Sequence, residues 1–137
     1  MQVARITQII ASGGIDTGMS LISGTVEGIK GTVLKQHPVP VRVISRETAL
    51  SIKEMMTQTV VNGTADNLDI PEGITASGKT GSAEAAVGEE KMVHGWFTGF
   101  VPAENPEYII TVFVENGGSG RKSAVPLFGK MLKALYP

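Results

Sequence analysis

Residues 73–88 read GITASGKTGSAEAAVG, and the backbone conformation of this stretch decides the fold. Gly73–Thr80 matches G-x-x-x-x-G-K-T, the pattern of a phosphate-binding loop that joins a buried parallel strand to a helix. Read instead as an extended segment of small residues, the same stretch is a strand that carries Lys79 at the rim of a groove. The two interpretations predict different sheets and different chemistry for one lysine.

The sequence on either side of this stretch does not suit a phosphate-binding loop. Before Gly73 it reads TADNLDIPE, which is polar, contains Pro71 and lacks the apolar run of a buried strand. After the lysine, the segment GSAEAAVGEE is interrupted by Gly88 and by charges, which weakens a helix. The apolar run at 108–115 could serve as a second nucleotide-binding strand, but alternating strands and helices are missing. We therefore interpret residues 75–87 as extended and expect no nucleotide ligand.

The composition is that of one globular domain. The 137 residues are 42% hydrophobic and 18% charged, and the net charge of −1 gives no basic excess to attract nucleic acid. There is no cysteine, which excludes disulfides and thiolate chemistry. His37 and His94 lack the spacing of metal ligands. We expect no metal and no cofactor, and we assign residues 1–137 to one domain.

Three helices are predicted. The first covers residues 1–13, where apolar residues recur at helical spacing before a glycine pair. Its apolar stripe consists of Val3, Ile6 and Ile10. The second begins after Ser45, a good N-cap residue, and ends at Asn62-Gly63. The third is predicted to begin near Pro126. Its packed side is predicted to carry Leu127, Met131, Leu132 and Leu135.

The remaining segments are predicted to be extended. Residues 15–44 are rich in glycine and β-branched residues, which favours short strands or arms. Residues 92–101 and 108–114 flank a Pro-rich turn at 102–106, which indicates an antiparallel hairpin. Residues 108–114 carry apolar side chains on both faces of the predicted strand, so we expect both faces to be covered. Together with 75–87, these runs predict an α+β domain with an antiparallel sheet of about three strands.

Several blocks of the sequence, in this order, resemble the C-terminal part of a class B-like penicillin-binding protein transpeptidase domain. The blocks are MQVARITQIIASGG (1–14), SRETALSIKEMMTQTVVNGTA (45–65), ASGKTGSAE (76–84) and HGWFTGFVPAENPEYIITVFVENG (94–117). The three letters K-T-G alone carry little information. KTGSAE followed by HGWFTGF and a Pro-Ala-x-x-Pro turn is specific, and the resemblance spans nearly the whole chain.

The resemblance implies an activity and its partners. In this family a serine attacks a D-Ala-D-Ala stem peptide of peptidoglycan, and an amine of a second stem peptide resolves the acyl-enzyme. β-Lactams acylate the same serine. The implied location is the extracytoplasmic face of the bacterial membrane. No run reaches the roughly 18 apolar residues of a membrane span, and Met1 leads into a helical pattern without a signal peptide. We therefore expect the anchor to lie outside this sequence.

The resemblance also implies which residues form the site. Lys79 is expected to provide catalytic positive charge and to bind the substrate carboxylate. Thr80 and Ser82 are expected to hydrogen-bond that carboxylate, and the Ser82 backbone N–H is expected to form half of an oxyanion hole. Gly81 is expected to let substrate approach. In a flat strand Lys79 and Thr80 point to opposite faces, so both can serve one cleft only if the strand twists or bulges.

The sequence departs from the family in its nucleophile. The family's S-x-x-K and S-x-N motifs precede K-T-G, whereas this sequence has no S-x-N and carries S-x-x-K only at Ser119–Lys122. We interpret that match as coincidental, because it lies in a glycine loop that offers no rigid support. The chain is therefore expected to lack a nucleophile, the N-terminal part of the domain and two sheet strands, and to be inactive alone. An open sheet edge is expected to promote self-association.

Two other functions remain open at this stage. A β-lactam sensor or a class D-like serine β-lactamase also places a W-F-x-G run after K-T-G. A non-enzymatic binding module could keep the fold without the nucleophile. The helix that ends in NGTA and the PAENP turn favour the transpeptidase.

Overall fold

The computed structural model describes residues 1–20, 25–27, 32–34, 38–87 and 90–137, with the backbone alone for 25–27, 32–34, Val87 and Glu90. The described helices are α1 Gln2–Ala11, α2 Arg46–Val61 and α3 Gly120–Leu135. The described strands are β1 Ile15–Asp16, β2 Thr25–Glu27, β3 Thr32–Leu34, β4 Val41–Arg42, β5 Ser77–Val87, β6 Glu90–Val101 and β7 Tyr108–Val114. None of the helices described is both long and apolar enough to cross a membrane.

The main sheet has the order β5-β6-β7, and both of its pairings are antiparallel. The turn between β6 and β7 is closed by the Glu107 N–H, which donates to the Val101 carbonyl at 2.9 Å. The α+β class and the predicted hairpin are thus confirmed. The predicted arms over 15–44 contain two short antiparallel pairs, β1 with β4 and β2 with β3. Residues 21–24, 28–31 and 35–37 of those arms lie outside the described residues.

The hydrophobic core lies between the sheet and α3. Alternation along the strands directs Phe97 and Val112 to the same face, where α3 covers them. Phe97 and Phe128 are fully buried and meet edge to face with ring centroids 4.7 Å apart. Burying two phenylalanines in this way removes a large apolar area from water, so this contact fixes α3 on the sheet.

Helix α2 lies alongside β5. Its N-terminus forms as predicted, because the Ser45 hydroxyl accepts the Thr48 N–H at 3.1 Å. Its buried residues are Ala49, Met56 and Val60. The hydroxyls of Thr57 and Ser77 are 2.7 Å apart, which ties the middle of the helix to the start of β5. The helix is thereby fixed beside the strand that carries the candidate site.

Helix α1 packs on the opposite face of the sheet from α3, with its polar side inward. Thr7 and Gln8 are its buried residues, whereas Ile6 of the predicted apolar stripe is 59% exposed. The Gln8 amide donates to the Ser12 hydroxyl at 2.8 Å and to the Ile15 carbonyl at 3.0 Å. These bonds satisfy the buried amide, so the helix can bury a polar side. The predicted helix is confirmed, and of its apolar stripe Val3 and Ile10 are half-buried whereas Ile6 is exposed.

Helix α3 corrects two predictions. It begins at Gly120 rather than near Pro126, and Pro126 lies inside it on the exposed side. One side of its first turns packs into the core through Ala124 and Val125, so tertiary packing starts the helix before the proline. The predicted packed side is also wrong in part. Leu132 is buried, but Leu127, Met131 and Leu135 are exposed.

The prediction that β7 is covered on both faces is only partly right. Ile110 and Val112 are buried beneath α3. On the other face Thr111 lies in the row bonded to α1. Tyr108 and Phe113, near the two ends of the strand, are 43% and 47% exposed.

The segment that follows α1 is held to that helix by an ion pair. Arg5 Nε donates to Asp16 Oδ2 at 2.9 Å, and the Gly18 N–H donates to Asp16 Oδ1 at 2.9 Å. The hydrogen bond from Arg5, then that from Gly18, lowers the pKa of Asp16 below its ordinary value. A carboxylate with a depressed pKa stabilises the fold above its unfolded pKa of about 4, and this contribution is lost as pH falls through the folded pKa.

We therefore expect Asp16→Asn to lower the midpoint of thermal unfolding at pH 7. The difference from the unsubstituted chain should shrink as pH falls below about 4. Asp69→Asn is the control, because Asp69 pairs with Lys133 on the surface and both side chains are more than half exposed. An equal difference for Asp16→Asn at pH 3 and pH 7 would contradict the linkage.

Candidate active site on the KTG strand

Lys79, Thr80, Gly81 and Ser82 lie on β5, an edge strand of the described sheet. Their small neighbours allow an extended backbone, and the pairing with β6 is continuous from Ser77 opposite Phe100 to Val87 opposite Glu90. No bulge interrupts this register. Lys79 therefore lies on one face of the strand, and Thr80 and Ser82 lie on the other. The strand interpretation of this stretch is confirmed, and the helix required by a phosphate-binding loop is not present there.

Lys79 lies at an apolar groove of about 410 Å³ between α1, α2 and the sheet. The residues that line it are Val3, Ile6, Thr7, Ile10, Ile52, Met55, Met56, Thr59, Lys79 and Thr98. Among these described lining residues, Lys79 alone is charged. Its ammonium group donates to the Thr80 carbonyl at 2.9 Å, so the side chain bends along its own strand. Lys79 is exposed, so its ammonium group is accessible to an anion that approaches from solvent.

A row of threonine hydroxyls crosses the sheet at the floor of the groove. The Thr7 and Thr98 hydroxyl oxygens are 2.7 Å apart, and those of Thr98 and Thr111 are also 2.7 Å apart. Thr98 stands opposite Lys79 in the β5–β6 register. No local pattern in the sequence predicts this row, because its three threonines lie far apart along the chain. The hairpin register gives Thr98 opposite Thr111, but the position of Thr7 depends on how α1 docks.

The side chains of Thr80 and Ser82 lie on the face of β5 that is opposite the groove. The hydroxyl oxygens of Thr80 and Thr64 are 2.6 Å apart, which links β5 to the loop after α2. The Ser82 hydroxyl accepts the Gly120 N–H at 3.4 Å, at the N-terminus of α3. The structure thus brings Thr80 and Ser82 to one face of β5 and Lys79 to the other. The three side chains can converge only around the free edge of the strand.

Two glycines near this site are fixed by contacts inside the protein. A Cβ at Gly78 would lie 2.3 Å from the Phe97 ring, so this glycine accommodates the core. A Cβ at Gly120 would lie 2.1 Å from the Trp96 carbonyl oxygen and 2.5 Å from that of Gly81. Gly120 therefore lets α3 begin directly against β5 and β6.

The Ser119–Lys122 match lies at the start of α3 rather than in a flexible loop. Ser119 occupies the N-cap position, and its carbonyl accepts the N–H groups of Lys122 and Ser123 at 3.0 and 3.1 Å. The expected lack of rigid support is therefore wrong. No contact described for Ser119 or Lys122 involves Lys79. His94 accepts the Asn116 N–H at 3.0 Å through Nδ1, which is a structural role in the hairpin.

The described residues contain no cluster of three or more histidine and acidic side chains that could hold a metal ion. His37 lies outside the described residues. The chemistry available around β5 is that of an ammonium group, hydroxyl groups and backbone N–H groups. Such groups bind and stabilise anions, including a carboxylate or a developing oxyanion.

Comparison with known families identifies the chain. Residues 1–133 match the model of the penicillin binding protein transpeptidase domain. The chain belongs to this family. The match includes β5 and all the elements packed around it, so the groove beside Lys79 lies within a penicillin-binding transpeptidase fold.

Individual relatives agree with this assignment. This chain is 29% identical to the peptidoglycan D,D-transpeptidase MrdA of Haemophilus influenzae. The alignment covers 96% of this chain and 23% of MrdA. The chain superimposes on penicillin-binding protein 3 of Mycobacterium tuberculosis, complexed with aztreonam, with a TM-score of 0.80 and 27% identity. It superimposes on the imipenem acyl-enzyme complex of penicillin-binding protein A from the same organism with a TM-score of 0.75 and 26% identity.

The comparison also sets the extent of the match. Each of these two structures is covered for about a third of its length, 34% and 30%, while 98% of this chain is used. The chain spans about a quarter of the length of the curated relatives it matches. The penicillin-binding transpeptidases that it resembles are therefore much longer than the 137 residues of this chain.

Proposed function

We propose that these residues form the K-T-G side of the active site of a peptidoglycan D,D-transpeptidase. The observation that carries the proposal is Lys79 on an edge strand, the one charged residue among the described residues that line an apolar groove, in a chain whose residues 1–133 match the transpeptidase family. The reaction is the transfer of a D-Ala-D-Ala stem peptide to a serine and then to an amine. β-Lactams would acylate the same serine.

In this proposal the substrate lies along the free edge of β5. An extended peptide can pair with the unused backbone groups of an edge strand, which aligns it without any side chain. Lys79 attracts the terminal carboxylate from the groove side and contributes to the hydrogen bonds around the nucleophile. Thr80 and Ser82 reach the same carboxylate from the other side of the edge, and Gly81 keeps the edge clear between them.

The backbone N–H of Ser82 supplies one donor of the oxyanion hole. This donor belongs to a strand held by β6, by α2 and by the N-terminus of α3, so little reorganisation is needed when charge develops. Rigid support of this kind is what transition-state stabilisation requires.

The serine nucleophile and its S-x-N partner come, in this proposal, from residues outside the sequence described. The only local S-x-x-K, at Ser119–Lys122, has no described contact with Lys79. The parent protein would act on the extracytoplasmic face of the bacterial membrane, anchored by another segment. The 137 residues alone would then bind substrate weakly and carry out no transfer.

Fluorescent penicillin labelling tests whether the serine nucleophile lies outside these 137 residues. We expect the 137-residue chain to acquire no covalent label, because its sequence has neither the S-x-x-K motif before K-T-G nor an S-x-N motif. A longer chain that contains these residues and the family's S-x-x-K motif should be labelled. The folded state of the short chain is checked by circular dichroism before labelling.

Ser119→Ala is the matched variant for the short chain. If the unsubstituted chain becomes labelled and Ser119→Ala does not, Ser119 is a nucleophile and the proposed origin of the serine is wrong. Labelling of both variants would place a nucleophile elsewhere in these residues, which mass spectrometry of the labelled peptide would locate.

A further inference from the structure

The NGTA block at residues 62–65 has no part in the proposed function, yet one of its side chains contacts the K-T-G strand. The hydroxyl oxygens of Thr64 and Thr80 are 2.6 Å apart, which is a hydrogen bond between the loop after α2 and β5. Thr80 is a residue whose hydroxyl is proposed to bind the substrate carboxylate. The block therefore places a second threonine in direct contact with a proposed substrate-binding group.

Thr64 is held in place by the residues on either side of it. A Cβ at Gly63 would lie 2.7 Å from the Thr59 Cα and 2.9 Å from its carbonyl oxygen, so the chain leaves α2 in close contact with the last turn of that helix. Ala65 is fully buried in the core, and its N–H donates to the Thr59 carbonyl at 3.0 Å. Because the backbone is fixed on both sides, the Thr64 hydroxyl has a rigid support beside β5.

This loop is also tied to the start of α3. Arg121 Nη2 lies 2.5 Å from Asp66 Oδ1, and Arg121 Nη1 donates to the Gly63 carbonyl at 3.4 Å. The preceding residue of α3, Gly120, donates its N–H to the Ser82 hydroxyl. The loop, the helix and β5 thus form one connected support for the two hydroxyl groups that are proposed to bind the carboxylate.

The two hydroxyl groups differ in the kind of partner that holds them. A hydroxyl group donates one hydrogen bond and accepts up to two. The Ser82 oxygen accepts from a backbone N–H, so its own proton stays available for a ligand. The partner of Thr80 is a second hydroxyl group, and either oxygen of that pair can be the donor. Thr80 can donate to a carboxylate and keep this bond only when Thr64 is the donor to Thr80.

We propose that Thr64 is a positioning residue for the carboxylate of the substrate or of a β-lactam. It donates its proton to the Thr80 oxygen, which leaves the Thr80 proton to be donated to the carboxylate. Each bond in such a chain polarises the next, and a bond to an ionised acceptor is stronger than one to a neutral group. This inference rests on the proposed function, because the carboxylate is the ligand assigned to Thr80 there.

Labelling by fluorescent penicillin, in a transpeptidase that contains these residues and a serine nucleophile, tests the inference. We expect Thr64→Val to lower the second-order rate constant about 3- to 10-fold, which is the effect of losing one hydrogen bond. Thr64→Ser keeps the hydroxyl group and should restore most of the rate. Thr17→Val is the matched control, since Thr17 is exposed and its described bond runs from its backbone N–H to Gln8. It should label at the unsubstituted rate.

A double-mutant cycle with Thr80→Val separates positioning from a purely structural role. Thr80→Val alone should slow labelling. Adding Thr64→Val to it should have almost no further effect, because Thr64 acts through the Thr80 hydroxyl. Thr64 is exposed, and Thr64→Ala takes its place in the same cycle if the valine variant does not fold.

Two results would overturn the inference and leave the proposed function in place. One is a rate for Thr64→Val that equals the unsubstituted rate while Thr80→Val is slowed. The other is an equal slowing by Thr64→Val with and without the Thr80 hydroxyl, which a general loss of structure would produce. If Thr80→Val itself labels at the unsubstituted rate, the proposed contact of Thr80 with the carboxylate is wrong, and the inference is wrong with it.

Discussion

Replacing Lys79 by alanine in a transpeptidase that contains these residues and a serine nucleophile should slow acylation by fluorescent penicillin roughly 10²- to 10³-fold. Removal of one preorganised donor or cation from an active site has an effect of this size. Lys79 is the one charged residue among the described residues that line its groove, so no neighbour there can replace it. The measurement is the second-order rate constant of labelling, because the effect belongs to the acylation step.

Two variants separate loss of this cation from loss of structure. Lys91→Ala removes an exposed lysine from β6, outside the groove, and should label at the unsubstituted rate. Lys79→Arg keeps the charge in a larger planar group and should recover only part of the rate, because arginine does not reproduce the compact ammonium. If Lys79→Ala is labelled within about three-fold of the unsubstituted rate while remaining folded, the proposed role of Lys79 is wrong.

The largest effect on stability is expected at Phe97. Phe97→Ala should lower the free energy of unfolding by about 3–5 kcal/mol, since a fully buried phenylalanine that contacts Phe128 leaves a cavity when truncated. Small domains have total stabilities of only about 5–15 kcal/mol. The variant should therefore be largely unfolded at moderate urea concentrations that leave the unsubstituted chain folded. Equilibrium urea unfolding measures the difference.

Phe113→Ala provides the comparison within the same sheet. Phe113 is 47% exposed and packs mainly against Trp96, with ring centroids 4.5 Å apart. Its truncation removes less buried area and should cost about 1 kcal/mol. Equal losses for the two variants would show that the contact between the sheet and α3 is not the main core.

Much of the fold follows from local sequence signals. The PAENP turn between two apolar runs predicts the hairpin, and Ser45 with Asn62-Gly63 marks both ends of α2. The K-T-G strand could be recognised because TADNLDIPE before it lacks a buried parallel strand. In each case the signal lies in the residues that form the element, so no tertiary information is required.

Other features depend on contacts between distant residues. Helix α3 begins six residues before Pro126 because Gly120 fits against the carbonyls of Gly81 and Trp96, which no local pattern indicates. Its sequence is apolar on two sides, and the side that contains Phe128, rather than the side that contains Leu127, packs on the sheet. Helix α1 buries Thr7 because its hydroxyl finds a partner in Thr98. Hydrophobic periodicity cannot predict this arrangement.

The candidate site divides in the same way. The motif itself indicates Lys79, Thr80, Gly81 and Ser82 as the site residues. Strand alternation predicts that the lysine lies on one face and the two hydroxyls on the other. The groove beside Lys79 requires the docking of α1 and α2, so its shape and apolar lining could be learned only from the structure.

The close fit of Gly120 against Gly81 and Trp96 has a mechanical consequence. There is no room for even a methyl group between the start of α3 and the backbone of β5 and β6. A displacement of α3 toward the sheet must therefore also displace β5. A force applied to α3 near the carboxyl terminus would therefore reach the backbone of β5 at Ser82, the proposed oxyanion-hole donor. More than fifty residues of sequence separate Ser82 from the carboxyl terminus.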